Sequence, residues 1–414
     1  MGKKFTNQKV LFGLITFIIG ILVFIFLLTA RIPGILRQTA IQAKYAFTIP
    51  IITLTILLIF TYFNKFRWNK WIIWPILCAI FALPLAGMWA SGITEAQVIG
   101  GLLPTADAGL YYTDALRLLD GGQFSFFSSR RPIFAAFLSS ILHYSGNNLQ
   151  ISLAVIVFFV LVGIYISSET IRQTIGKPAV IVFLILNFFF IRKYTGRVMT
   201  ENLGFIFGLL SITLLIIGVK RSIQLIWGLG IFSLTLALNT RAGPFLILPL
   251  LVVWAWFTEK ELKKRIIASS IALVAIILGF LFNTLVFRLF GNPNGIPFAN
   301  FLESFYGMVR GGIGWGAIYK EHPNLLGLDD QLLVKTGIPL VVEAFKANPL
   351  LLLNAVTKEY SNFFNPSSLN SMFSFVYSEN RSIFTLVQIL FQVLCYFGLF
   401  SIWKNMRNSV NSHS

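Results

Sequence analysis

The chain has 414 residues, 56% of them hydrophobic and 12% charged, with a mean hydropathy of +0.79 and a formal charge of +18. Soluble domains carry about 25% charged residues, so a water-soluble enzyme is excluded, and the cationic excess must be sorted by membrane side before it says anything about nucleic acid. The two cysteines, Cys78 and Cys395, lie inside apolar runs and offer neither a disulfide framework nor a CxxC metal pattern.

A bilayer core about 30 Å thick takes roughly 17–25 apolar residues per helical span. Ten segments are read as spans: 9–29, 46–63, 71–90, 148–167, 178–191, 202–219, 223–238, 243–257, 266–288 and 382–403. The first lacks the small-residue cleavage pattern of a signal peptide and is read as a retained anchor. With the N-terminus in the cytoplasm, the short inner loops carry 16 of the 33 basic residues but 3 of the 15 acidic ones. That is the positive-inside pattern. An even span number then puts both termini inside, in an inner (plasma) membrane. Trp68, Trp71, Trp74, Trp254 and Trp403 fall at the inner interface and read as anchors. The charge is thereby explained by topology, without a nucleic-acid partner.

The layout divides the chain into two N-terminal spans (1–70), a core (71–288) with a large outer loop (91–147), a long outer segment (289–381), and a last span with a tail (382–414). Inner loops of about ten residues cannot fold a nucleotide domain, and there is no GxxxxGK[ST], so an ATP-driven pump is excluded. Nearly all the acidic residues lie outside, and chemistry is expected there.

In the first outer loop, residues 105–122 read as a short amphipathic helix, opened near Asp107 and closed by Gly121-Gly122. Leu110, Ala115, Leu118 and Leu119 share its membrane-facing side. Arg130-Arg131-Pro132 then leads into an apolar half-span. Thr200-Glu201 starts another span and Arg241 stands just before a third.

Taken in that order, Asp107 with Tyr111/Tyr112, Ala115 and Gly121-Gly122, then Arg131-Pro132, Thr200-Glu201 and Arg241 resemble the GT-C superfamily of polytopic glycosyltransferases. The likeness is to the group containing protein O-mannosyltransferases and bacterial aminoarabinose transferases, and it covers 71–288. It implies an all-α polytopic fold of about ten transmembrane helices with a seven-helix catalytic core and amphipathic juxtamembrane helices in the outer loops. It implies a polyprenyl-phosphate-linked sugar donor, membrane lipid as the surroundings, and transfer to a lipid, glycan or protein on the outer face. The acidic pair of many relatives is missing, since Ala108 follows Asp107, and this leaves a divalent metal open as a cofactor while no metal ligands are assigned.

Such a transfer needs a base for the acceptor proton and positive charge for the departing phosphate. Asp107 is the candidate base, its pKa to be raised by partial burial; its ordinary alternative is capping the helix that follows. Asp114, seven residues on, is expected on a solvated face. Arg131, Arg241, Arg197 and Arg130 are candidate phosphate ligands through bidentate hydrogen bonding, and the outer turn with Arg192-Lys193 adds cations that the positive-inside rule does not explain. Glu201, Tyr111 and Tyr112 are candidate substrate contacts, with Glu201 orienting Arg197 or Arg241. In the glycine-rich stretch 300–316, Arg310 is expected near phosphate on a flexible closing loop, and His322 is a candidate acid/base. The competing readings are an O-antigen-type polymerase or ligase, which would lean on Arg and His of the long outer segment, and a lipid-linked glycan transporter, which would place charges mid-span.

Overall fold

The computed structural model of the chain describes residues 2–29, 34–46, 49–63, 69–376 and 381–411. Among these residues it is all-α apart from one hairpin of two short strands. In chain order the elements are α1 (Gly2–Thr29), α2 (Gly34–Tyr45), α3 (Ile49–Phe63), α4 (Asn69–Ser91), β1 (Val98–Ile99), β2 (Leu103–Pro104), α5 (Ala106–Leu119), α6 (Phe126–Ser129), α7 (Pro132–Tyr144), α8 (Leu149–Thr174), α9 (Lys177–Tyr194), α10 (Thr200–Arg221), α11 (Gln224–Thr240), α12 (Ile247–Phe257) and α13 (Leu262–Phe290). There follow α14 (Phe301–Val309), α15 (Ala317–Glu321), α16 (Asp330–Ala347), α17 (Leu350–Phe364) and α18 (Arg381–Asn411). The chain forms two compact units: the residues up to Phe298 together with Asp329–Gln331, and Ala299–Leu328 together with the residues from Leu332 onward. The long outer segment of the sequence is therefore divided near Phe298, and most of it is helical.

Each of the ten apolar segments coincides with a helix. By length and composition, five of the described helices can cross a membrane: α4, α8, α10, α13 and the Leu11–Thr29 part of α1. The number becomes six if α16 and α17, bent by 94°, count as one span. The others fall short for identifiable reasons. At 1.5 Å per residue, α12 reaches only about 16 Å, and α9 carries Lys177, Arg192 and Lys193 at its ends. Several apolar helices nonetheless make this a membrane protein. Leu14, Ile18 and Leu22 stand exposed along α1, an arrangement that lipid tolerates and water does not.

In the first unit, α4 is the central helix, two thirds buried over its span. It packs with α1, α8, α9 and α10 in one apolar core that includes Leu77, Phe81, Leu85, Leu161 and Leu184. A second core joins α5 and α7 to α8 and α10 through Tyr111, Phe134, Leu138 and Leu203. A third joins α11, α12 and α13 through Trp227, Ile231, Ala268 and Ala272. The short α2 lies against the C-terminal half of α4. A Cβ at Gly87 would fall inside contact distance of the Ala40 backbone, so glycine there sets how closely the two helices approach.

Two expectations are corrected by this packing. Trp74 does not sit at an interface: it is buried, its indole N–H donates to the Phe17 carbonyl at 3.1 Å, and its ring stacks on Phe17 at 5.3 Å. Trp254 is partly exposed, with its ring against Trp227. Trp68 and the side chains of Trp71 and Trp403 lie outside the described residues. Arg192, expected in an open outer turn, is buried near the end of α9. Its Nε donates to the Lys44 carbonyl, and Lys44 Nζ donates to the Arg192 carbonyl at 2.8 Å.

Candidate functional site

The polar side chains of the first unit gather at two ends of the helices. One end holds the Glu169–Arg172 and Glu261–Lys264 pairs and the Gln224–Glu259 hydrogen bond. The opposite end collects the C-termini of α2, α4, α9 and α11 and the N-termini of α7 and α10, together with all of α5, and eight of the ten candidate residues lie there.

Helix α5 carries the first three. The N-cap position is Thr105, and the side chain that serves the helix end is that of Gln97, whose Oε1 accepts from the Ala108 N–H at 3.1 Å. Asp107 is thus not the cap. It lies in the first turn, exposed rather than partly buried, and has no hydrogen-bond or ion-pair partner among the described residues. Tyr111 follows one turn later on the same face. It is buried between Phe127, at 4.8 Å between ring centroids, and Phe134, at 5.3 Å. Tyr112 is half-buried at the edge of the same core. Asp114, expected in solvent, is 1% exposed. It accepts from the Ser125 N–H at 3.0 Å and from Arg117 at 3.0 Å, with a short bond from the Ser125 hydroxyl. Arg117 lies on α5 itself, while Ser125 lies beyond its end, so this carboxylate ties the loop after α5 back to the helix.

Three further candidates converge on Tyr111. Burial pushes its phenol up from the ordinary value, while the nearby guanidinium of Arg131 and the charge of Arg241 pull it down, and Glu201 pushes it up. Arg131 occupies the N-cap of α7, where Pro132 begins the helix, and its buried Nε has no partner. Glu201 sits in the first turn of α10, its Oε2 accepting from the Thr200 hydroxyl at 3.2 Å. Arg241 ends α11 in an extended conformation, and its Nη2 lies 3.4 Å from Glu201 Oε1. Two guanidinium groups and one carboxylate from the ends of three helices thus act on the charge of a phenol one turn from Asp107. Arg241 is half-exposed, so its pair with Glu201 contributes little to stability and can open at small cost.

The remaining arginines are engaged elsewhere. Arg197 pairs with Glu95, not Glu201, although its buried Nε stays without a partner. Arg130 donates through Nε and Nη2 to Asp330 Oδ1 at 3.1 and 2.8 Å, and Asp330 also accepts from the Ile296 N–H. This is a clamp on the 292–298 turn and removes Arg130 from the open set. Arg310 and His322 belong to the second unit. Arg310 Nε donates to Glu321 at 3.1 Å, and the Tyr306 hydroxyl meets both Glu321 Oε2, at 2.6 Å, and His322 Nε2, at 3.1 Å. Burial pushes the Tyr306 phenol up to about 12, helped by Glu321. The glycine-rich stretch is a folded turn. The N–H groups of Gly312 and Ile313 both donate to the Gly307 carbonyl, and Gly311, Gly312 and Gly314 take positive φ.

Glu95 and Lys44 are missed by sequence reasoning, yet they form the most buried charge cluster at this end. Lys44 Nζ lies 3.5 Å from Glu95, with side chains 3% and 12% exposed, and the Tyr45 hydroxyl donates to Glu95 at 2.9 Å. Burial alone would push the Glu95 carboxyl up. The charges of Lys44 and Arg197 and the hydrogen bonds from Arg197 and Tyr45 outweigh it and hold the group below the ordinary carboxylate range. Burial pulls Lys44 down to about 8 despite Glu95. One signal was available: Glu95 is the first acidic residue in the chain.

Among the described residues, no three His, Cys, Asp or Glu side chains converge to hold a metal ion. No protein-family model, curated protein or solved structure matches the chain.

Proposed function

We propose that this protein is an integral membrane glycosyltransferase. It takes a sugar from a polyprenyl-phosphate donor and passes it to a hydroxyl or amino group of a lipid, glycan or protein at the outer face of the inner membrane. In this reading ten helices, several of them short or tilted, cross the membrane around a seven-helix core over 71–288, with both termini in the cytoplasm. The observation that supports it is the Arg241–Glu201 pair, which together with Arg131 acts on the charge of Tyr111, one turn from an unpaired Asp107. This is the charge pattern that a displacement at a phosphate-linked anomeric carbon requires.

The acceptor oxygen or nitrogen attacks the anomeric carbon and gives its proton to the Asp107 carboxylate. The bond between that carbon and the phosphate oxygen breaks, and its electron pair leaves with the polyprenyl phosphate. Arg131 and Arg241 neutralise the departing phosphate through planar donors with permanent charge. Attack opposite the leaving group inverts the sugar. Glu201 holds Arg241 until the donor arrives.

The test is sugar transfer from a polyprenyl-phosphate donor in detergent. Asp107→Asn is expected to lower turnover about 10²–10⁴-fold with donor binding retained, and Arg241→Ala to weaken donor binding. Transfer unchanged in Asp107→Asn would remove the base from this reading and favour a polymerase or ligase working through Arg310 and His322.

A further inference from the structure

Helices α11 and α13 run parallel. A Cβ at Gly228 would meet Ile271, and one at Gly279 would meet Thr235, each at 2.5 Å, so residues 228 and 235 face 271 and 279 in the same order. Small residues bring the helices together along that line and leave a groove of about 470 Å³ beside it. Leu225, Leu229 and Phe232 form one wall and Ile267, Val274 and Leu278 the other. From Ile266 to Leu278, which bound it on α13, the groove is about 18 Å long at 1.5 Å per residue, the length of an extended acyl chain rather than of a compact solute.

One end of this groove is cationic. Lys263 stands one turn before Ile267 on the same helix face; it is exposed and has no ion pair among the described residues. Lys260 and Arg221 are likewise exposed and unpaired there. Both α11 and α13 begin at this end without a side-chain cap, so two positive helix termini add to the same field. Of the acids nearby, Glu261 is paired with Lys264 and Glu259 accepts from the Gln224 amide, so three unpaired cations face one carboxylate without an ion pair.

We infer that this groove is a phospholipid site: one acyl chain lies between α11 and α13, and an anionic headgroup phosphate pairs with Lys263. An apolar slot alone would accept any lipid tail. The unpaired cation aligned with it selects the anionic class. The site lies at the opposite end of the helices from Asp107 and does not depend on the proposed transfer; the topology above assigns it to the inner leaflet. Its function is to fill the groove beside the α11–α13 contact and to fix α11, whose far end carries Arg241.

Native mass spectrometry of the full chain, delipidated and titrated with phosphatidylglycerol or phosphatidylcholine, tests this directly. Preferential retention of phosphatidylglycerol is expected. Lys263→Gln should lower that preference about fivefold, the effect of one cation near an anionic surface, while leaving phosphatidylcholine retention unchanged. Ser270→Phe, which fills the groove from α13, should abolish tight retention of both lipids. Equal retention of the two lipids by the native chain, or a preference untouched by Lys263→Gln, would overturn the assignment. Lys263 is exposed and unpaired, so its substitution remains readable even if Ser270→Phe fails to fold.

Discussion

Replacing Glu95 by Gln is the sharpest test of the charge cluster at the Asp107 end. The substitution keeps an oxygen for the Tyr45 hydroxyl but leaves Lys44 and Arg197 facing each other without their anion. Breaking a buried ion pair costs about 3–5 kcal/mol. Here the loss has a ceiling on one side, because Lys44 can discharge. Burial already lowers its amine to about 8, so neutralising it at pH 7 costs at most about 1.4 kcal/mol. Arg197 cannot deprotonate and carries the rest, which puts the total near 3 kcal/mol at pH 7. The sign with pH is distinctive. Without Glu95 the folded-state value of Lys44 falls below 8, while the unfolded value stays at 10.5. Folding then favours the neutral amine over a wider range, so the variant gains stability on the way up to pH 8 where the native chain does not. Equilibrium unfolding in mixed micelles should show the gap between the two proteins narrowing by about 1 kcal/mol between about pH 6 and pH 8. A variant within about 0.5 kcal/mol of native, or a gap that does not change with pH, would refute the burial argument.

Other outcomes follow from the same geometry. The native chain should lose stability in acid as pH falls through the depressed Glu95 value, below the ordinary 4.5, and Glu95→Gln should lack that loss; thermal melts from about pH 6 to pH 3 measure it. Asp330→Asn removes the carboxylate that accepts from Arg130 Nε and Nη2 and from the Ile296 N–H and should cost about 3 kcal/mol, with protease cleavage appearing in 292–298. Gly87→Ala places a methyl group against the Ala40 backbone and should cost about 1–3 kcal/mol, seen as earlier melting of the chain. Asp107→Asn, at an exposed and unpaired position, should leave the melting curve within about 0.5 kcal/mol of native, so that any loss of transfer reads as chemistry.

The apolar helices were legible because each is a long run with its charges at the ends, and the half-span α7 because Arg131-Pro132 announces its start. That Tyr111, Arg131, Glu201 and Arg241 gather at one end of the helices was legible because each lies in or next to a connection between apolar helices at that end. The pairings were not. Asp114 and Asp107 lie on one helix face, yet Ser125 buries the first while nothing covers the second. Lys44 finds its partners 51 and 148 residues away, and no local pattern encodes such distances. Trp74 shows the same limit: its position matched an interfacial belt, and only the approach of α1 made it core.

The cluster around Lys44 also sets an order of assembly as the chain is made. Up to residue 94 the chain contains no acid, so α2 emerges with a lysine that has no counter-ion. Its counter-ion arrives with Glu95, and the cluster is completed only when Arg197 appears, 102 residues later. At about 5–20 residues per second, that leaves the N-terminal helices some 5–20 s in which the Lys44–Glu95 pair lacks its second cation. The window closes when α9 and α10 insert and the Arg192 backbone takes up the Lys44 amine.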